Sequence, residues 1–463
     1  MMSHYNEIPW DVVHAQRAFF ESGATRSVDF RKTQLRRLLK LLERHEKDIL
    51  DALQKDLKKH PFEAFSSEIG FLKIEINEAL SNIHRWVAKK RVSTPLVHFP
   101  ASSYIIPQPL GQVLVISPWN YPIMLAFAPA LNAIAAGNCV VLKPSELTPN
   151  CSALMKKLVA DFFDPQFFTV VEGDGHVVLP EMLQKHRFEY VFFTGSESTG
   201  KIIYKLAAEK LTPVTLELGG KSPCIVDETA DVEISAKRIV WSKFWNAGQT
   251  CVAPDYLLVH ESLSNELIRQ LKLAIEAFFG KESKQSDSLS RIVSLRHFER
   301  LKQLISNEHV EFGGRSDEAS LWIEPTLLLN PSLESLVMKE EIFGPILPII
   351  TFNSLAEAKD IVRKMPNPLS LYIYSKSKKN IQDIEEDLSF GGGVINGGLI
   401  HLANPKLPFG GVGHSGFGNY HGKFGFDTFS HQKAMMFNSF WPDIPFRYAP
   451  FGKWTWIVKR FMR

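Results

Sequence analysis

Leucine and isoleucine recur at three- and four-residue spacing from Asp29 to Lys59: Leu35, Leu38, Leu39 and Leu42, then Ile49, Leu50, Leu53 and Leu57. That period predicts one long amphipathic helix. Its opposite face is rich in Lys and Arg with Glu and Asp interspersed, which reads as a solvated surface rather than a face for a membrane or nucleic acid. From Gly111 the pattern changes. The unbroken run QVLVIS reads as a buried strand, Pro122 to Ala136 as an apolar helix ended by Gly137, and CVVL as a second strand. A helix over Thr148 to Phe162 follows. FFTVVEG, YVFFTG and VTLEL are further apolar strands with helical stretches between them. Strands alternating with helices pair in parallel through right-handed crossovers, so this region predicts a doubly wound α/β sheet. After Glu217 the alternation resumes with PCIVD, a helix from about Asp231, DYLLVH and a helix after Ser264, which predicts a second α/β lobe. No internal repeat or low-complexity segment is visible.

A chain of 463 residues exceeds what one core can use, so two or three lobes are expected. The 53 basic and 50 acidic residues leave a formal charge of +3, which argues against a dedicated nucleic-acid binder. Four cysteines, at 139, 151, 224 and 251, include no C-x-x-C pair. Zinc and dithiol redox sites are therefore not expected, and a reducing, cytoplasmic setting fits. The start MMSHYNEIPWD has no basic-then-apolar leader pattern. No uncharged apolar run reaches 18 residues, so no spanning helix is expected.

Candidate chemistry lies where the strands end. A G-x-G-x-x-G match at Gly411, Gly413 and Gly416 has neither a strand before it nor a helix after it, and reads as a glycine-rich loop. FFTGSESTGK is the better phosphate site, because an apolar strand runs straight into Gly195-Ser196 and Gly200 falls in the first turn of the next helix. A plain strand-to-helix turn with a Ser cap would read the same way. The second strand ends in KPSE, where Lys143 and Glu146 could hold ribose hydroxyls or line a solvated loop. In NAGQTCVAPDY a glycine turn presents Cys251. A nucleophilic thiol needs access and a stabilised thiolate, although a lone cysteine more often packs a core. Glu217 closes VTLEL between Leu216 and Leu218, where desolvation could make it a general base. Asn120, in SPWNYP, closes another strand and could donate to an oxyanion.

Together PWNYP, KPSE, FFTGSxxxGK, LELGGKSP, GQTCVAPDY, EEIFGP and LPFGGVGHSG resemble the NAD(P)-dependent aldehyde dehydrogenase superfamily, in order and over nearly the whole chain. The ending SGFGNYHGKFGFDTFSHQKA is similar to its class-three branch, which handles fatty and aromatic aldehydes. The resemblance implies Cys251 as nucleophile, Glu217 as base and Asn120 as oxyanion amide. It implies a pyrophosphate turn at Gly195, Ser196 and Gly200, ribose contacts at Lys143 and Glu146, and Trp119, Leu218, Glu341 and Phe343 around the nicotinamide. NAD is the expected cofactor, with NADP possible, and no metal is expected. The implied division is a cofactor domain over 1–217 with a projecting hairpin at about 97–110, a catalytic domain over 218–407, and a return segment with oligomerisation strand and tail over 408–463. A homodimer is expected. The tail from Phe446 to Arg463 is expected to be a lid over the substrate entrance with weak peripheral membrane contact. An enzyme passing the acyl group to coenzyme A, and a non-catalytic binding protein of the same fold, are the alternatives.

Overall fold

The apolar runs become two mainly parallel sheets. The structure is a computed structural model that describes residues 6–444, 447–450 and 452–461. The first sheet has the order Gly416–Phe417, Val214–Glu217, Tyr190–Thr194, Gln112–Ile116, Cys139–Lys143, Phe168–Val170. All its pairs are parallel except that of Gly416–Phe417, which runs antiparallel to Val214–Glu217. Successive residues of a strand face opposite sides, and here both sides are covered. Val113, Val115, Val140 and Leu142 join one core cluster, while Leu114, Ile116, Val141 and Val191 join another. That double burial is why these strands read as continuous apolar runs instead of alternating ones.

The strand order reverses between Gln112–Ile116 and Tyr190–Thr194, neighbours whose successors run to opposite edges of the sheet. Such a switch point opens a crevice at the carboxyl ends of the strands. The second sheet has the order Val310–Phe312, Thr326–Leu329, Ile346–Phe352, Tyr256–His260, Pro223–Val226, Ser370–Tyr374, Gly392–Ile395. Strands from Gln112 to Glu217 belong to the first sheet, and those from Pro223 to Ile395 to the second, with only the short pair Ser316–Asp317 and Trp322–Ile323 outside it. A third, antiparallel sheet is made of Lys90–Val92, Ser102–Pro109 and Ser430–Phe437. Ser430–Phe437 is its edge and exposes Met435, Met436 and Phe437.

The expected helix over Asp29 to Lys59 is two helices, Val28–Arg44 and Glu46–Leu57. His45 leaves helical geometry between them (φ −112°, ψ 21°), and its ring bonds to Asp48 at 2.8 Å. The basic face is not solvated throughout. Arg31 is buried and donates to the Thr25 and Ala135 carbonyls, and Lys59 is fully buried. The apolar helix starts at Met124, two residues later than expected, because the Glu68 carboxylate accepts from the Ile123 and Met124 N–H groups there.

The expectations for the extreme N-terminus and for part of the tail fall on Met1–Tyr5, Pro445, Phe446, Phe451, Met462 and Arg463, which lie outside the described residues. Among the described residues the tail forms the helix Thr455–Phe461 beside Leu96–His98, and Arg447 donates to the Phe99 carbonyl at 2.6 Å. No described tail residue lines the apolar cavity beside Cys251. Within one chain the described tail therefore packs on the loop joining Lys90–Val92 to Ser102–Pro109 and does not roof that cavity, contrary to the expected lid. No helix among the described residues is long and apolar enough to cross a membrane.

Candidate active site

Two cavities meet at the junction of the sheets. One, of about 380 Å³, is walled mainly by apolar side chains such as Met124, Leu125, Trp241, Leu399 and Phe409. The other, of about 230 Å³, lies at the switch point. Cys251, Glu217, Leu218, Thr194 and Leu125 line both. A group held at Cys251 thus has one neighbour on the apolar side and another on the switch-point side.

Cys251 owes its place to backbone geometry. Helix Val232–Phe244 gives way to a short turn in which Asn246, Ala247 and Gly248 all have positive φ (53°, 51° and 73°). A Cβ at Gly248 would stand 2.2 Å from the Gly344 carbonyl, so the turns of GQTC and EIFGP touch backbone to backbone. Burial pushes the Cys251 thiol up to about 12, Glu341 and Glu217 add to the rise, and the N–H groups of Cys251 and Val252 oppose it. Cys251 alone among the four cysteines keeps partial exposure; Cys139, Cys151 and Cys224 are buried.

Glu217 ends its strand fully enclosed. Both carboxylate oxygens are buried without a hydrogen-bond partner, and burial raises its pKa well above the usual carboxylate range. The glycine-rich loop holds it from outside. Gly416 pairs with Glu217, and the Leu218 N–H donates to Ser415 O at 3.1 Å. A Cβ at Gly416 (φ 115°) would sit 1.9 Å from Leu216 O. The G-x-G-x-x-G match is a glycine-rich loop leading into the short strand Gly416–Phe417, and its last glycine, Gly416, makes this close approach.

Asn120 is 2% exposed, and its Nδ2 donates to Gln249 O at 3.0 Å, two residues before the thiol. Around it runs a buried network that sequence reasoning missed. Lys59 Nζ donates to Glu68 at 2.5 Å and to Asn120 O at 3.0 Å, and lies 4.0 Å from the Tyr121 ring centre. Asn246 Nδ2 donates to Asn120 O at 2.9 Å, and Tyr121 OH meets Thr250 Oγ1 at 2.6 Å. The loop carrying Asn120 is thereby tied to the loop carrying Cys251.

The switch-point cavity gathers Trp119, Asn120, Gly195, Ser196, Leu218, Glu341 and Phe343. Trp119 packs edge-on against Phe343 and close to His297, whose pKa burial lowers to about 4. Ser196 caps helix Glu197–Ala208, so the cap reading holds, and the helix start still faces the cavity. Gly200 packs under Leu218, where a Cβ would come within 2.8 Å of Cδ2. Lys143 and Glu146 stand outside the cavity, paired at 2.6 Å beyond the next strand end. The loop bearing Glu341 is clamped by two further residues the sequence reading missed. Arg300 donates to the Glu341 and Ile342 carbonyls at 3.1 and 2.6 Å, and Lys221 bonds Asp255 and the Glu340 carbonyl.

A dinucleotide fits this ground. The helix start favours phosphate, Trp119 and Phe343 offer flat apolar walls, and Glu341 Oε1 is a buried acceptor with no protein partner. Burial raises the Glu341 carboxyl to about 8, with Asp255 adding to the effect. The fold and the two-sided cleft define a two-lobed oxidoreductase of the nicotinamide-dinucleotide class. The profile of the aldehyde dehydrogenase family matches residues 6–435. A 4,4'-diaponeurosporen-aldehyde dehydrogenase of Staphylococcus aureus is 49% identical, covering 96% of this chain and 97% of that one. The mouse aldehyde dehydrogenase family 3 member B2 is 43% identical over 96% of this chain and 92% of its own. A substrate-bound Staphylococcus aureus AldH structure superposes with TM-score 0.96 at 47% identity, covering 99% of this chain and 100% of that one. An indole-3-acetaldehyde dehydrogenase complexed with NAD+ gives 0.85 at 26%, with 92% and 88% covered. The chain belongs to the aldehyde dehydrogenase family and oxidises aldehydes to carboxylic acids with NAD(P)+.

Proposed function

We propose that the chain acts on medium- to long-chain aliphatic or aromatic aldehydes, with Cys251 as nucleophile, Glu217 as general base and Asn120 as oxyanion donor. The observation that carries this reading is the placement of Cys251 and Glu217 on the wall common to both cavities, with Glu217 unpartnered. The apolar lining of the larger cavity and the aldehyde in the Staphylococcus relative's name support the substrate class.

In this mechanism the aldehyde lies in the apolar cavity with its carbonyl at Cys251. Cys251 gives up its thiol proton to water and Sγ bonds to the carbonyl carbon, whose π electrons pass to the oxygen. The oxyanion takes the free N–H of the Asn120 amide, whose other N–H is held by Gln249 O, together with a backbone N–H beside Cys251. One such donor is typically worth about 3 kcal/mol of barrier. Gly195, Ser196, Gly200, Lys143, Glu146, Trp119, Leu218, Glu341 and Phe343 hold the dinucleotide, which supplies the hydride acceptor when bound. As the former aldehyde carbon loses its hydride, the oxyanion re-forms a C=O and leaves a thioester on Cys251; Glu217 then takes a proton from water as the water oxygen attacks the thioester carbon, and the Cys251 sulfur leaves as the acid is released. Glu217 favours water over coenzyme A as acyl acceptor.

The same reading divides the chain into a cofactor domain over 1–217, a catalytic domain over 218–407 and a return segment over 408–463. It makes the protein a homodimer and gives the basic, aromatic tail a weak contact with anionic membrane surfaces. Stopped-flow reduction of NAD+ with decanal tests the site. Cys251→Ser should bind NAD+ and give no NADH, while Glu217→Gln should keep a first-turnover burst and lose the steady state. Full steady-state turnover by Glu217→Gln would overturn the base assignment.

A further inference from the structure

Beyond the apolar cavity lies an aromatic cleft of about 260 Å³ that the mechanism above leaves unused. Phe62, Trp241 and Trp245 line both spaces, so the three rings are a shared partition. Trp241 and Trp245 stand edge to face at 5.4 Å, and Trp245 opens the turn that leads to Cys251. Phe62 is 71% exposed, so little packing opposes a swing of its ring. Phe278 and Phe279, at the end of helix Glu261–Phe279, add two more rings to its lining, whose polar residues are His60, Glu63 and Ser288.

We infer that this cleft is a distal subsite that receives the chain end of aldehydes too long for the first cavity, passed across the Phe62–Trp241–Trp245 partition. The inference rests on the proposed preference for apolar aldehydes. An apolar cavity of ~150 Å³ accepts a six-carbon ring. By that measure about 380 Å³ suits roughly fifteen carbons, and the cleft adds room for roughly ten more. A longer chain without the cleft would return its end to water. Each methylene buried there is worth about fourfold in kcat/KM. Aromatic walls give such a chain a wide apolar surface without demanding one conformation.

The test compares kcat/KM for the C8, C12, C16 and C20 aldehydes in the full-length wild type, Ser288→Trp and Phe278→Glu. Both positions are exposed and outside the proposed catalytic and cofactor residues. Ser288→Trp fills the cleft and Phe278→Glu charges it. Each variant should hold C8 and C12 within twofold of wild type and lose at least tenfold on C20. Unchanged C20 values in both variants, or equal losses at every length, would overturn the subsite. A wild type with no gain from C8 to C12 would instead overturn the apolar-substrate reading. A wild-type gain that stops at C16 would leave that reading standing and remove the subsite alone.

Discussion

At the scale of residues, Cys251 combines partial exposure with a thiol that burial, Glu341 and Glu217 push up to about 12. A neighbouring carboxylate makes a thiolate harder to form, so removing one should make it easier. Glu217→Gln should move the midpoint of the pH dependence of chloroacetamide alkylation downward, while burial keeps it above that of a free thiol. An unmoved or higher midpoint would show that Glu217 does not face the sulfur. Glu146 leads to a second expectation. A carboxylate near a ribose repels a 2′-phosphate, but its 2.6 Å pairing with Lys143 offsets part of that charge. NAD+ should therefore be preferred modestly, and Glu146→Gln should narrow the ratio of catalytic efficiencies. A higher kcat/KM with NADP+ in the wild type would refute the preference.

At the scale of elements, the buried Lys59–Glu68 pair sits between a helix start and the Asn120 loop. Both side chains are fully buried. Lys59→Met leaves the Glu68 charge without its cation, and breaking such a pair typically costs about 3–5 kcal/mol. Lys59→Met with Glu68→Gln should recover part of that loss in urea unfolding, and additive losses would show that the two do not act as a unit. Elements differ in how well the sequence announced them. Strands buried on both faces were plain as apolar runs, and the proposed chemical residues were found because they stand at strand ends or glycine turns. The break at His45 was hidden because Leu42 and Ile49 stay seven residues apart, so the apolar stripe keeps its phase across the interruption. Lys59 was hidden because a buried cation just past a basic helix looks like a surface one. Its partner lies nine residues on and its acceptor, Asn120 O, sixty-one. Local periodicity carries no signal for such pairings, nor for the Arg300 clamp on the Glu341 loop.

At the scale of the molecule, the third sheet ends in an edge strand, Ser430–Phe437, eight residues long, with no neighbour on its outer side among the described residues and exposing Met435, Met436 and Phe437. A long apolar edge is a template for another chain, and proteins usually cover it. Light scattering at micromolar concentration should give about twice the 52.5 kDa chain mass. A mass near one chain would contradict the homodimer. Lys433→Pro, which removes a backbone donor along this strand, should weaken the assembly if that edge is the seam.

The pairing of Gly416 with Glu217 also fixes when the enzyme can first work. Some 200 residues separate these two neighbours in the sheet. Domains fold from the N-terminus as synthesis proceeds, at about 5–20 residues per second. Cys251 and Glu217 both leave the ribosome well before the segment that seals the strand edge beside Glu217. On the proposed roles, a nascent chain thus carries its nucleophile and base in an unfinished wall, which is completed only when the segment around Gly416 arrives.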